Sequence, residues 1–440
     1  MTKPKSSCAI DFFDNNQLNS HFANISSQHS PISYNLLSNL FSNLSTKPSY
    51  FNFSTIDDSL IKSSILHAID SQNGISSDNL PVRYLAQSTH VITPVLIKIF
   101  NNVIKESTYP LTWKYTYITP LNKKTNPISL SDTRPISNIP HIARIFDNLL
   151  NLQITDYLNQ NSCLSPFQSA HKKGFSTQTA LLYITESIRK NLDNGNIVVL
   201  VQFDISKAFD SIKHDLLLSR LRNIGFSQNS TKLIWSYITN RSHSVLNQKG
   251  QPSPPIFTTS GIPQGSSLSG NLFNIYMDML VDALYLCTDS YSIFADDTNI
   301  WLSCHPKQLK NCITLLNEEC LRISKRLDYM GLKLNADKTT AIIFGSPHNL
   351  STINISDFIT INNTPIPFSN TIKILGVTLS DDLTWNYHIS NISRNINFTL
   401  HRLHRMGSNL ISKSNYCSLN LLFYLFLTIA ASYTMIYLVT

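Results

Sequence analysis

Charge is scarce in this chain: Asp, Glu, Lys and Arg make up 14% of its 440 residues, against a usual share of roughly a quarter. The scarcity is not that of a disordered segment, because apolar residues reach 42% and aromatics 10%, enough for one large domain or a few interlocked ones. Paired cysteines are missing too. Cys8, Cys163, Cys287, Cys304, Cys312, Cys320 and Cys417 are odd in number and form no CxxC, which argues against a disulfide framework and against a zinc knuckle. The eight-residue spacing of Cys304, Cys312 and Cys320 would, on a helix, mark a buried stripe more readily than a metal site. No basic-then-apolar leader opens the sequence, so an intracellular location, nucleus or cytoplasm, is expected, and the many Asn-x-Ser sequons read as chance products of an Asn- and Ser-rich chain.

The charge that is present is basic. Lys and Arg number 35 against 27 Asp and Glu, a net charge of +8, and residues 101–190 alone hold ten basic residues to five acidic. A polyanionic partner fits this balance, as does a mildly basic globular protein.

Residues 1–54 lack sustained periodicity and are expected to be a linker or remnant without function. Apolar spacing predicts helices over 56–68 and 91–104. Residues 197–203 (IVVLVQF) form a continuous β-branched run, as in a strand buried on both faces, and it ends at Asp204. A helix is expected over 207–224 and another over 268–284. Two strand-like runs, 291–294 and 298–302, flank Ala295-Asp296-Asp297, a tight hairpin with two carboxylates at its tip. Helix 306–330 and strands 339–344 and 371–379 complete an α+β order with an antiparallel sheet and helices on one face. Residues 414–440 carry no charge and are long enough to span a bilayer, but Asn420, Thr428, Ser432 and Thr434 interrupt them. A buried core helix is the preferred reading and a tail anchor the other, so a membrane partner is not expected.

Carboxylates projecting from neighbouring strand ends, as Asp204 and Asp296 would, can hold two divalent cations about 4 Å apart, activating an attacking hydroxyl and neutralising a leaving pyrophosphate. Either motif alone reads more readily as an exposed turn aspartate. The ordered set is more specific. Trp113-Lys114 and 120–124 (PLNKK) are followed by 134–137 (RPIS), 168–180 (QSAHKKGFSTQTA) and 203–210 (FDISKAFD), and then by 261–266 (GIPQGS), 294–298 (FADDT), 331–339 (GLKLNADKT) and 375–377 (LGV). In this order the chain resembles the reverse transcriptase domain of non-LTR (LINE-type, Jockey-like) retrotransposons.

The resemblance implies a right-hand polymerase fold, with fingers over 55–190, a palm with an interleaved fingers segment over 191–385, a reverse transcriptase core over 104–379 and a partial thumb over 386–440. It implies an RNA-directed DNA polymerase that adds deoxynucleotides to a primer 3′-hydroxyl on an RNA template, using two Mg²⁺ (or Mn²⁺) ions. Asp204, Asp296 and the Ile205 carbonyl would hold the metals, with Asp297 positioning the site and Lys338 as general acid to pyrophosphate. Lys123 or Lys124, with Arg134, would reach the incoming triphosphate. Phe209 would lie beneath the sugar and exclude a 2′-hydroxyl, and Gln264 and Gly265 would contact the nascent base pair. Lys172, Lys173, Arg394, Arg402, Arg405 and Lys413 would track the nucleic-acid backbone. Each of these basic residues could equally be a solvated surface charge, and Phe209 a core aromatic.

Two departures stand out. Leu268-Ser269-Gly270-Asn271 replaces the family's usual Gly-Pro after the glutamine turn, and Ser76-Ser77-Asp78-Asn79 stands where a Gly-x-Asp-Gly motif is usual. With no room upstream for an endonuclease and no RNase H or Cys/His cluster downstream, the sequence reads as a fragment of a retrotransposon open reading frame. A catalytically silent nucleic-acid-binding remnant is the alternative reading. Oligomeric state is not legible in the sequence.

Overall fold

The computed structural model describes residues 9–42, 51–70, 76–78, 82–124, 126–284, 287, 290–354 and 357–407. The chain opens with helices α1 (Asn15–Ile25), α2 (Tyr34–Ser42), α3 (Asp58–Asp70), α4 (Val82–Gln87) and α5 (Thr89–Glu106). Strands β1 (Tyr115–Asn122) and β2 (Thr133–Asn138) form a hairpin, followed by α6 (His141–Gln160) and α7 (Thr177–Asp193). Next come β3 (Ile197–Phe203), β4 (Ile205–Ser206), α8 (His214–Asn223), α9 (Gln228–Ile238), β5 (Arg241–Val245), β6 (Ile256–Thr258) and α10 (Ser267–Met277). The hairpin β7 (Tyr291–Phe294) and β8 (Asp297–Cys304) leads to α11 (Leu309–Tyr329), β9 (Lys333–Leu334), β10 (Thr340–Phe344) and α12 (Pro347–Thr352). Two small hairpins, β11 (Ile359–Ile361) with β12 (Thr364–Ile366) and β13 (Thr371–Ile374) with β14 (Val377–Ser380), precede α13 (Asn386–Gly407).

The central sheet has the order β10-β3-β8-β7, antiparallel throughout, so the α+β class with an antiparallel sheet is as expected. β3 is buried on both faces because Gln202, near its end, is its only polar residue. Val199, Val201 and Phe203 enter the main core, which also contains Phe146 of α6, Leu272 and Phe273 of α10 and Leu316 of α11. Val198 and Leu200 enter a second core with Leu181, Ile184 and Ile188 of α7, Trp301 of β8 and Ile372 and Leu379 of the β13–β14 hairpin. Helices on one face only, as expected, is therefore incorrect; α7 and a hairpin cover the other side. The Trp301 indole N–H donates to Ser187 Oγ at 3.1 Å, tying α7 to the sheet.

A second sheet, β2-β1-β5-β6, carries the basic motifs of residues 120–137; β1 pairs antiparallel with β2 and parallel with β5. Residues 241–258 thus return to a sheet begun more than a hundred positions earlier.

Three further expectations fail. The linker reading of 1–54 does not hold for 9–42 and 51–54. Asp14 caps α1 by accepting from the N–H groups of Asn16 and Gln17, and Leu18, Phe22 and Ile25 pack with Ile118 of β1 and Val245 of β5 in a separate buried cluster. Phe51 lies against Phe226 at 4.4 Å between ring centroids. The helix expected over 207–224 begins only at His214, because β4 pairs with β9 and Lys207 turns into the left-handed region at φ 52°. The strand expected over 371–379 is a hairpin reversing at Leu375 and Gly376, with φ 47° and 90°. Of the spaced cysteines, Cys312 and Cys320 are buried on α11, whereas Cys304 ends β8. Among the described residues no helix is long and apolar enough to cross a membrane; residues 414–440 and Lys413 lie outside them.

If α1 is part of the fold, Phe22→Ala should cost about 3–5 kcal/mol of stability, measured by chemical denaturation. A loose linker would show no change.

Candidate active site

Seven residue pairs join β3 to β8, from Ile197 opposite Cys304 to Phe203 opposite Thr298. Continuing that register by one residue sets Asp204 opposite Asp297. The β7–β8 turn places Ala295 in the left-handed region at φ 57°, an unfavourable conformation for a residue with a Cβ and one that clusters at functional sites. Three carboxylates lie at this end of the sheet, within one another's field. Burial raises the Asp296 carboxyl, with Asp204 adding repulsion, and pushes Asp297 up to about 6, with Asp296 and Asp204 both adding to the effect. Water reaches Asp296 and Asp297, so part of this repulsion is screened.

Asp204 is held by its backbone. Its carbonyl accepts from Asn335 N–H at 2.9 Å, its N–H donates to Thr339 Oγ1 at 3.4 Å, and that hydroxyl donates to the Asn335 carbonyl at 2.8 Å. Ile205 and Ser206 then pair with Leu334 and Lys333. The segment 331–339 is therefore a clamp on the strand exit, and Lys338 stands exposed on its single 3₁₀ turn.

The cations sort into groups. The charges of Arg134, Lys338 and Lys207 act on Lys123, and burial first, then these neighbours, lowers its pKa. Arg134 also acts on Asp296 and Asp297, lowering both, so one guanidinium is shared between the carboxylates and the lysines. Lys124 is different: it pairs with Asp132 at 2.8 Å, and that bond with the backbone donors of Ile128 and Ser129 holds the Asp132 carboxyl near 2. Of the two lysines left open by the sequence, Lys123 is the one beside Arg134 and Lys338, its ammonium donating to the Ser131 carbonyl at 2.7 Å. Lys172 lies over the Phe175 ring at 4.5 Å and within the field of Asp278, and Lys173 is exposed on the same loop. Arg394 is exposed on α13; Arg402 and Arg405 lie on the same helix.

The glutamine turn seats directly on β2. Ser137 N–H donates to the Gln264 carbonyl at 2.6 Å, and a Cβ on Gly265, at φ 122°, would stand 2.7 Å from the Ser137 oxygen. Only glycine allows that approach. Behind it, Ser266 accepts from Leu268 N–H at the start of α10 and donates to buried Asp147 at 2.7 Å, whose other oxygen accepts from Tyr109 at 2.8 Å. Burial pushes Asp147 up to about 6. Phe209 is half-buried and stacks on Phe273 with centroids 4.0 Å apart, so it is packed against the core while keeping an open face.

Sequence reasoning passed over Lys207, Asp147, Asp210 and the N-terminal residues His21 and Ser26. Burial lowers the His21 pKa, and Lys207 and Lys123 add to this, which places α1 beside the basic group. Lys207 and Asp210 lie inside the quoted 203–210 motif, where composition alone gives them no role.

Among the described residues no three His, Cys, Asp or Glu side chains are grouped to hold an ion by themselves. The donor set nevertheless suits a hard divalent cation. Mutually repelling carboxylates lacking an ion pair among the described residues gain from a cation, and Mg²⁺ is commonly held by one or two carboxylates plus substrate phosphates rather than by a protein cage.

Carboxylates at the ends of antiparallel strands, with Arg134 acting on both Asp296 and Asp297, define an α+β protein with an acidic site beside a basic one. Residues 121–379, more than half of the chain, match the family described as reverse transcriptase (RNA-dependent DNA polymerase), and the chain belongs to that family. It is 24% identical over 311 residues to the probable RNA-directed DNA polymerase from transposon BS of Drosophila melanogaster, covering 68% of this chain and 33% of that protein. It is 23% identical over 325 residues to the RNA-directed DNA polymerase from mobile element jockey of the same species, covering 72% and 34%. The chain thus spans about a third of the length of these relatives. Among solved structures, it is similar to apo telomerase from Candida tropicalis, truncated from its C-terminal domain, with a TM-score of 0.41 and 15% identity over 66% of this chain and 59% of that one.

Because the Asp297 carboxyl is raised, its ionisation opposes folding. That cost is fully present above about pH 6 and disappears as pH falls toward the unfolded value of 3.8. In EDTA, Asp297→Asn should be more stable than wild type at pH 8 and equal to it near pH 4, read from denaturant midpoints. A constant difference would contradict a carboxyl raised by burial and its neighbours.

Proposed function

We propose that this chain is an RNA-directed DNA polymerase that adds deoxynucleotides to a primer 3′-hydroxyl on an RNA template. The observation that carries the proposal is the placing of Asp204, Asp296 and Asp297 at one end of the central sheet, with Arg134 acting both on Asp296 and Asp297 and on Lys123, beside which Lys207 and Lys338 also act. Asp204, Asp296 and the Ile205 carbonyl would hold two Mg²⁺ or Mn²⁺ ions, with Asp297 tuning their field. When bound, such ions activate the attacking hydroxyl and neutralise the leaving pyrophosphate. Lys123 and Arg134 would hold the triphosphate, Arg134 by paired N–H donors and Lys123 as a point charge; Lys338 would protonate the pyrophosphate. Gln264 and Gly265 would meet the nascent base pair. The open face of Phe209 would lie under the sugar, offering a 2′-hydroxyl neither room nor a hydrogen bond.

In this reading residues 55–190 with 241–258 form fingers, the central sheet the palm, and 386–440 part of a thumb whose Arg394, Arg402 and Arg405 track the template–primer with Lys172 and Lys173. A second reading, a silent nucleic-acid-binding remnant, draws on the lack of a ready-made ion cage among the described residues. Primer extension separates the two.

Asp204→Asn or Asp296→Asn should reduce incorporation on a primed RNA roughly a hundredfold or more. Template binding should change by less than about threefold, because it is mainly a phosphate-backbone term. Full activity in either variant would overturn the metal assignment.

Phe209→Val should raise the ratio of ribonucleotide to deoxynucleotide specificity constants by about tenfold or more. A mere loss of core packing would lower both alike, and an unchanged ratio in a folded, active variant would exclude the gate.

A further inference from the structure

Between Lys207 and Gly265 two segments are zipped together by their backbones. Ile262 N–H donates to the Phe209 carbonyl at 3.0 Å and Gly261 N–H to Ile212 at 2.9 Å. Ser260 Oγ donates to the Asp210 carbonyl at 3.2 Å. Gly261, at φ 81°, comes so close that an added Cβ would stand 2.7 Å from the Asp210 carbonyl oxygen. Phe209 and Gln264 are therefore borne by one unit, and Asp210 is at its centre.

The Asp210 carboxylate is buried and uses both oxygens. Oδ2 accepts from Gln264 Nε2 at 2.8 Å and Oδ1 from Ser26 Oγ at 3.4 Å. An ionised carboxylate can only accept, so the amide nitrogen of Gln264 must be the end that faces it. We propose that Asp210 is a positioning residue for Gln264, fixing the orientation of its amide so that the carbonyl oxygen and the remaining N–H are presented to the incoming deoxynucleotide. This rests on the polymerase reading above. Burial pushes the Asp210 carboxyl up to about 6, against the lowering effect of the bonds from Gln264 and Ser26 and of the charges of Lys207 and Lys123. Lys123, which would hold the triphosphate, and Lys207 thus help keep the acceptor ionised. Ser26, from the turn after α1, completes the arrangement, and its carbonyl accepts from Thr259 and Ser260 N–H at 3.1 and 2.9 Å.

Asn at position 210 keeps the shape but offers both a donor and an acceptor, which releases the amide to face either way. Steady-state incorporation on a primed RNA should show Asp210→Asn raising KM for deoxynucleotide about tenfold, with kcat changing less and the melting temperature not falling. In a Gln264→Ala background the same substitution should add less than about twofold, because the residue it acts through is gone. With glutamine-selective ¹⁵N labelling, the Gln264 side-chain amide should exchange slowly with solvent in the wild type and quickly in Asp210→Asn. A wild-type KM in Asp210→Asn, effects that multiply in the double variant, or a Gln264 amide that exchanges like free glutamine would each overturn the proposal. Failure of the polymerase reading would look different: the wild-type chain would incorporate nothing, while amide exchange would still decide whether Asp210 holds Gln264.

Discussion

The pairing of β3 with β8 is the constraint on which the site depends. A strand alternates faces with a period of two, so a slip of one residue would invert every side chain on it. Here both faces are buried, in two different cores: Val199, Val201 and Phe203 fill the main core, while Val198 and Leu200 pack with α7 and Trp301. Continued by one residue, the register that satisfies both cores brings Asp204 opposite Asp297. Like charges directly across a ladder are unfavourable; burial first, and then repulsion from neighbouring carboxylates, raises the carboxyls of Asp296 and Asp297. Apolar packing over the length of the ladder imposes a repulsive arrangement at its end.

That arrangement is offset by Arg134, whose charge lowers Asp296 and Asp297, and Arg134 in turn shares the neighbourhood of Lys123 with Lys338 and Lys207. Arg134 comes from the second sheet, Lys338 from the 331–339 clamp and Lys207 from the loop after the strand exit. No two of these three share a secondary-structure element, so only the folded chain gathers them. The glutamine turn joins the same assembly through close backbone approaches, Gly265 to Ser137 and Gly261 to Asp210. Such contacts fix the relative position of the two sheets more tightly than flexible side chains would.

The sequence made β3 and the β7–β8 hairpin legible because each carries its own local signal: an unbroken β-branched run in one, two strand runs around a carboxylate tip in the other. The ordered motifs made the site legible as a set. The N-terminal segment was illegible because α1 is short and polar, NNQLNSHFANI, and is held by tertiary burial of Leu18, Phe22 and Ile25 rather than by a long apolar stripe. The helix expected at 207–213 and the strand expected through 375–376 failed where Lys207, Leu375 and Gly376 take positive φ, which residue type does not announce outside glycine. Lys124 could be separated from Lys123 only once Asp132 was seen to occupy it. Asp210 was hidden in plain view, since a carboxylate within a matched motif shows no partner until Gln264 and Ser26 are brought to it by the fold.

The central claim is that the exit of β3 and the β7–β8 turn form one divalent-cation site. Replacing Mg²⁺ with Fe²⁺ and adding ascorbate and peroxide cleaves backbone close to the bound iron, so the fragments map what surrounds the ion. Cleavage should occur in the same molecules near Asp204–Ile205 and near Ala295–Asp297, and excess Mg²⁺ should suppress both cuts together. Cleavage at only one of these segments, or at neither, would contradict the account.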